Sequence, residues 1–198
     1  MGVCFTPSLS WATTHTKLGI QAKKSILSIK QYQKSFGYFP IKEYFKLFDS
    51  LVKPVLCYAS QVWGYCYVDT IESVQNDFCK RYLCVKKTTN NSVALGECGR
   101  LPLCVFYMTN CVKYWCKLLT MQRSRYPRQC YLMLKSHDDC GRSNWASKVK
   151  DLLYQYGFGY AWITQEIGDV NIFIKMFKQR LIDCYTQNWH DDINMSSR

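Results

Sequence analysis

Twelve cysteines, three histidines and two adjacent aspartate pairs are the residues of this 198-residue chain whose types could do chemistry. A tetrahedral zinc site needs thiolates and imidazoles at short separations, and no Cys-x-x-Cys occurs. The nearest pairs are Cys79 with Cys84, Cys111 with Cys116, and His137 with Cys140. Cys111 and Cys116 are five apart, so on a helix they face different ways. The chain is too large and too aromatic to need a disulfide framework, and its cysteines are expected as free thiols packing like small hydrophobes. Nucleotide-polymerising and nuclease chemistry needs carboxylates that hold divalent metals. Asp138-Asp139 and Asp191-Asp192 lie in polar, turn-like or terminal contexts, the setting of solvated pairs. His15, His137 and His190 also sit in polar surroundings near expected helix ends, where capping or exposure is the plain reading. Neither phosphate-loop motif is present, and Gly157-Phe158-Gly159 alone is too little. No catalytic residue, metal or cofactor is expected.

The lysines carry a different signal. Twenty-six Lys and Arg against fourteen Asp and Glu give a net charge of +12 and a pI near 9.1. That balance favours a polyanionic partner, nucleic acid first and an anionic membrane surface second. Residues 1–68 hold eight basic and two acidic residues, 69–142 twelve and six, and 143–198 six and six, so all the excess lies before residue 143. Lys23, Lys30 and Lys34 recur at separations of seven and four, one stripe on a helix, with Lys17 and Lys24 on a neighbouring line. Lys86 and Lys87 add a pair in a polar stretch. These seven lysines are the candidate nucleic-acid-binding residues, attracting phosphates without reading sequence. Most Tyr, Phe and Trp fall at core spacing and are expected to pack, although exposed ones can stack on bases. Met1-Gly2-Val3-Cys4-Phe5-Thr6 also fits the loose myristoylation pattern, with Cys4 available to a second acyl chain. On that reading the chain is a lipid-anchored basic protein; if Met1 is internal to a longer reading frame, the match is accidental.

The elements that must position these residues are helical. Hydrophobic residues make up 48% of the chain and charged ones 20%, which excludes the composition of a disordered chain. No apolar run approaches the eighteen or so residues of a spanning helix. No secretory signal is recognisable at residues 1–10, and an intracellular location, cytoplasm or nucleus, is expected. After a short extended segment at 2–5, a helix is expected over 10–35 with Leu18, Ala22, Ile26 and Ile29 on its core face. A second, opened by Pro40 and kinked by Pro54, should bury Ile41, Tyr44, Phe45, Phe48, Leu51, Val52 and Val55 and run to Trp63. A third begins at Asp69 as N-cap, with Glu72 completing a capping box, and buries Ile71, Val74, Phe78 and Tyr82. Residues 86–92 read as a loop. A fourth helix covers 102–122 through Val105, Met108, Val112, Trp115 and Leu119. Shorter helices follow at 127–135 and 144–156, separated by a turn at 136–143. The last starts at the N-cap Asp169 and aligns Phe173, Phe177, Leu181, Tyr185 and Trp189. The fold class is mainly α, a multi-helix bundle with a short extended N-terminal segment.

Several motifs together resemble one family. Gly2-Val3-Cys4-Phe5-Thr6-Pro7-Ser8-Leu9-Ser10-Trp11, followed by His15 and Ala22-Lys23-Lys24, is similar to the turn leading from palm to first thumb helix in the non-LTR (LINE and jockey-like) retrotransposon reverse transcriptases. Leu51-Val52-Lys53-Pro54-Val55-Leu56-Cys57-Tyr58 with Trp63-Gly64, Ile71-Glu72-Ser73-Val74-Gln75, and Gly99-Arg100-Leu101-Pro102-Leu103 with Lys113-Tyr114-Trp115 resemble its later signatures. The resemblance covers residues 2 to about 119 closely and the remainder loosely.

What the resemblance implies is a remnant of the palm's last strand at 1–9, a thumb-like helical domain at 10–95 and a helical C-terminal extension at 96–198. In the family the thumb grips the template-primer duplex by its backbone. The aromatic-Ala-Asp-Asp strand of right-hand polymerases and the downstream cysteine-histidine knuckle are both absent from this sequence. The implied role is therefore that of a non-catalytic fragment of an RNA-directed DNA polymerase, not an enzyme by itself. Its partners would be an RNA–DNA hybrid or duplex backbone and the remaining palm and fingers, with no membrane. The alternative is a host protein-interaction module derived from a retroelement, with Trp162, Phe173, Phe177 and Trp189 as an exposed apolar patch.

Overall fold

The computed structural model describes residues 2–4, 6, 10–37 and 39–196, with the backbone alone at Phe36 and Ser196. Every regular element among them is helical, as the periodicity implies. The expected palm-strand remnant and the acylation motif rest partly on Met1, Phe5 and residues 7–9, which lie outside the described residues. At Cys4 the backbone exchanges two hydrogen bonds with Thr14, its N–H donating to Oγ1 at 3.1 Å and its carbonyl accepting from Oγ1 at 3.0 Å.

Contacts gather the chain into two compact units. The first is made of Met1–Ala59, Val68–Leu103 and Asn188–Arg198, the second of Ser60–Tyr67 and Cys104–Gln187. Both are assembled from separate stretches of chain.

In the first unit α1 (Ala12–Phe36) buries Leu18, Ala22, Ile26 and Ile29 and packs on α5 (Asp69–Tyr82). Between them run α2 (Ile41–Leu47), a π-helical turn at Phe48–Val52 and α3 (Lys53–Leu56). Pro54 offers no N–H to its own helix. Just before it the Lys53 N–H reaches back five residues to the Phe48 carbonyl, so the expected kink takes the form of a widened turn. The extra residue rotates the register: Phe48, Val52 and Leu56 are fully buried, whereas Ile41 and Leu51, expected in the core, are each 40% exposed. Tyr44 stacks on Phe78 with ring centroids 4.2 Å apart, and Phe45 and Phe48 close around the same ring at 5.7 and 4.7 Å. The helix expected to continue to Trp63 breaks at residues 57–59, where Ala59 takes a left-handed φ of 55°.

α5 does not start as a capping box. Its N-cap is Val68, and Glu72 turns inward, as described below. The stretch read as a loop at 86–92 already contains the start of α6 (Asn91–Glu97), capped by Asn90, whose Oδ1 accepts the Ser92 N–H at 2.8 Å.

The second unit holds α4 (Ser60–Trp63), α7 (Cys104–Thr120), α8 (Tyr126–Asp139), α9 (Trp145–Gln155), α10 (Gly159–Thr164) and α11 (Val170–Ser196) as far as Gln187. α4 lies on α7, with Trp63 against Tyr107 at 5.3 Å. Gly64 is obligatory there, because a Cβ would come within 2.6 Å of the Tyr107 carbonyl oxygen. α8 is longer than expected, and the turn before α9 shrinks to residues 140–144. Trp115, Tyr131, Trp162, Phe173 and Phe177 form the core, with Leu152, Leu153 and Leu181. A buried relay joins them: the Trp115 Nε1–H donates to the Tyr131 hydroxyl at 2.9 Å, and that hydroxyl donates to Gln165 Oε1 at 2.5 Å. Asp169 caps α11 as expected, its Oδ1 accepting the Ile172 N–H at 2.9 Å.

Candidate nucleic-acid interface

The face of α1 opposite its core stripe is built from lysines. Lys17, Lys23, Lys24, Lys30 and Lys34 are all exposed, and α1 contains no Asp or Glu that could pair with them along the helix. At 1.5 Å per residue the helix is about 37 Å long, and Lys17 to Lys34 covers about 25 Å of it. Lys23, Lys30 and Lys34 share one line, with Lys24 and Lys17 bordering it. Lys17 is also tied down locally, its Nζ donating to Cys4 Sγ at 2.9 Å. Sequence reasoning missed that Ile20 and Leu27, 52% and 56% exposed, stand among these lysines. Their positions on the helical wheel carried that signal.

Lys86 and Lys87 are exposed too, on the turn that follows α5 and therefore on a different element from the α1 stripe. The turn is held from within. Lys80, a buried lysine of α5, donates from Nζ to the Lys87 carbonyl at 2.8 Å, and the Thr89 N–H bonds the Lys86 carbonyl at 3.0 Å. Lys80 thus spends its charge on the loop backbone, leaving the neighbouring pair to solvent.

The motif residues that carry the family resemblance mostly hold the first unit together. Glu72 is buried, and its Oε2 accepts the Leu103 N–H at 2.9 Å. One turn on, the Gln75 Nε2 donates to the Leu101 carbonyl at 2.9 Å. Arg100 makes a two-pronged pair with Asp49 at 2.6 and 2.8 Å and lies over Phe45 and Phe48, 5.1 and 5.7 Å from the ring centres. At Asp49 burial pushes the carboxyl up, but the Arg100 hydrogen bond and charge outweigh it and hold the carboxyl below its ordinary value.

The acid-base candidates take structural places. Asp138, expected as half of a solvated pair, is half-buried near the end of α8 and accepts a hydrogen bond from Lys150 of α9 at 3.1 Å. Asp139 pairs with Lys135 one turn earlier at 2.9 Å. Cys111 and Cys116 are core thiols, each pushed by burial up to about 12. His137 and His190 are exposed, while His15 is half-buried and burial lowers its pKa. Among the described residues no cluster of three His, Cys, Asp or Glu could hold a metal ion. No helix among them is long and apolar enough to cross a membrane. The expected apolar patch does not form: Trp162, Phe173 and Phe177 are buried in the second unit and Trp189 is half-buried. α11 runs on past the second unit, and Trp189 sits so close to Gly96 of α6 that a Cβ there would lie 2.5 Å from Nε1.

No family model, curated protein or solved structure matches this chain. Its chemistry therefore rests on its own residues.

Proposed function

We propose that this chain is a non-catalytic, thumb-like helical segment of a non-LTR retrotransposon RNA-directed DNA polymerase, holding the sugar-phosphate backbone of an RNA–DNA hybrid or duplex. One observation carries the reading: α1 exposes five lysines on a helix that has no carboxylate. Lysines act as flexible point charges, which suits contact with phosphates and conveys no sequence preference. The carboxylates and metals of bond-making belong, on this reading, to palm and fingers, which join nucleic acid as its partners. The compartment would be cytoplasm or nucleus.

Fluorescence anisotropy with a labelled hybrid duplex, titrated over salt, tests the grip. Affinity should fall with salt by about 0.9 log units per log unit for each phosphate neutralised, and exchanging Lys23, Lys30 and Lys34 for Gln should reduce that slope by roughly 2 to 3. Binding that ignores salt, or a triple variant that behaves as the original, would falsify the reading. The protein-interaction alternative loses its original support with the burial of Trp162, Phe173 and Phe177.

A further inference from the structure

The connection between α7 and α8 reads Arg123-Ser124-Arg125-Tyr126-Pro127-Arg128, three arginines around one tyrosine with no acid among them. It is a fixed structure. The Arg125 N–H closes a turn on the Gln122 carbonyl at 3.1 Å, and the Arg128 and Gln129 N–H groups both bond the Arg125 carbonyl at 3.0 Å. Gln129 Nε2 adds a longer bond to the Ser124 carbonyl at 3.4 Å.

The charges of this turn are uncompensated. Ion pairs among the described residues of this unit join Lys135 to Asp139, Lys148 to Asp151 and Lys150 to Asp138, and none takes an arginine of the turn. Arg123 and Arg125 are exposed. Arg128 lies over the Tyr131 ring at 5.3 Å, with its Nε and Nη1 buried and without an acceptor. The first turn of α8 has no acidic residue, so the positive end of the helix dipole adds to the same potential. Stability alone favours carboxylates at that end; arginines there make sense when an anion arrives from outside.

Tyr126 turns this anion site into something more specific. It is 83% exposed, between two arginines, and Pro127 restricts its backbone from behind. The charged groups on the lysine face of α1 are all ammonium point charges. Here planar guanidinium groups stand beside a free aromatic ring, the combination that takes phosphates and stacks on unpaired bases. A duplex hides its base faces, so the ring has work only on an unpaired strand.

We propose that the turn at residues 123–128 is a binding site for single-stranded nucleic acid, in which Arg123 and Arg125 hold successive phosphates and Tyr126 stacks on a base. This site is independent of the α1 reading, lies on the other unit and prefers another form of nucleic acid.

Cys130, exposed one helical turn beyond Tyr126, gives the test its own reporter. With the full chain, an unstructured oligonucleotide of about twelve nucleotides should slow alkylation of Cys130 while leaving Cys140, exposed beyond the far end of α8, unchanged. Anisotropy should show that Arg123→Glu with Arg125→Glu weakens single-strand binding at least tenfold. Tyr126→Ala, which removes no charge, should weaken it about tenfold, within the range for losing one base stack, and leave polyphosphate binding unchanged. Lys23, Lys30 and Lys34 replaced by Gln should leave the Cys130 protection in place, so loss of duplex binding in that variant separates the two sites. The proposal is overturned if Tyr126→Ala binds the oligonucleotide like the original chain. It is also overturned if polyphosphate or phosphatidylserine vesicles protect Cys130 as well as the oligonucleotide does. Circular dichroism of each variant keeps misfolding apart from lost binding.

Discussion

At Glu72, a spacing that signals a helix start serves a tertiary contact instead. Three residues after Asp69 it has the position of a capping-box acid, yet its carboxylate accepts the N–H of Leu103, 31 residues away. Removing it leaves a buried backbone donor without that acceptor. Glu72→Ala should therefore lower unfolding free energy by about 1–3 kcal/mol, read as a fall in the urea midpoint at unchanged slope. Glu72→Gln keeps an acceptor and should cost less; equal stability of the alanine variant and the original would show that the bond contributes nothing. Asp138 teaches the same lesson, since its carboxylate accepts a hydrogen bond from Lys150 in the middle of the next helix.

Among the elements, the widened turn at Phe48–Val52 depends on a neighbour as well as on Pro54. Asp49 lies within that turn, and Arg100, on the connection before α7, reaches it while covering Phe45 and Phe48. Both side chains keep some exposure, so the pair should be worth about 1 kcal/mol or less. Its pH dependence follows from the lowered carboxyl. The contribution is fully present above the unfolded value, near 3.8, and is lost as pH falls through the lower folded value. Stability measured by urea melts should show no contribution from this pair between about pH 5 and 8 changing with pH, and Asp49→Asn should flatten part of the acid limb below about pH 4. An acid limb identical in the variant would mean that the pair is not formed in solution. Arg100→Lys cannot restore the original, because an ammonium has neither the two-pronged geometry nor the flat face that lies on the rings.

Over the whole molecule, charge and cysteines are distributed by opposite rules. Every lysine proposed to bind stays in water, whereas Cys57, Cys79, Cys98, Cys104, Cys111 and Cys116 are buried. Burial holds the Cys57 thiol up at about 12, like Cys111 and Cys116, and raises Cys79 and Cys98 as well. Because thiolate is the reactive form, a thiol-specific reagent at neutral pH should first label Cys84, Cys130 and Cys140. Cys66 should follow more slowly, since burial raises its thiol although the residue is exposed. The six buried cysteines should react only on unfolding. Rapid labelling of Cys111 or Cys116 in the folded chain, read by mass spectrometry of the peptides, would contradict the packing of the second unit.

The mainly helical class, the core stripe of α1, its cationic opposite face and the cap at Asp169 were legible in the amino-acid order. Each depends on residues within a few turns of one another, and helical periodicity is a local property of the backbone. The π turn, the break at 57–59, the inward turn of Glu72 and the pairing of Asp138 with Lys150 were decided only by tertiary structure. So was the exposure of Tyr126. A polar group enters the core when a partner waits there, and an apolar one stays outside when nothing covers it. Those partners come from distant stretches of chain, beyond the reach of any local pattern.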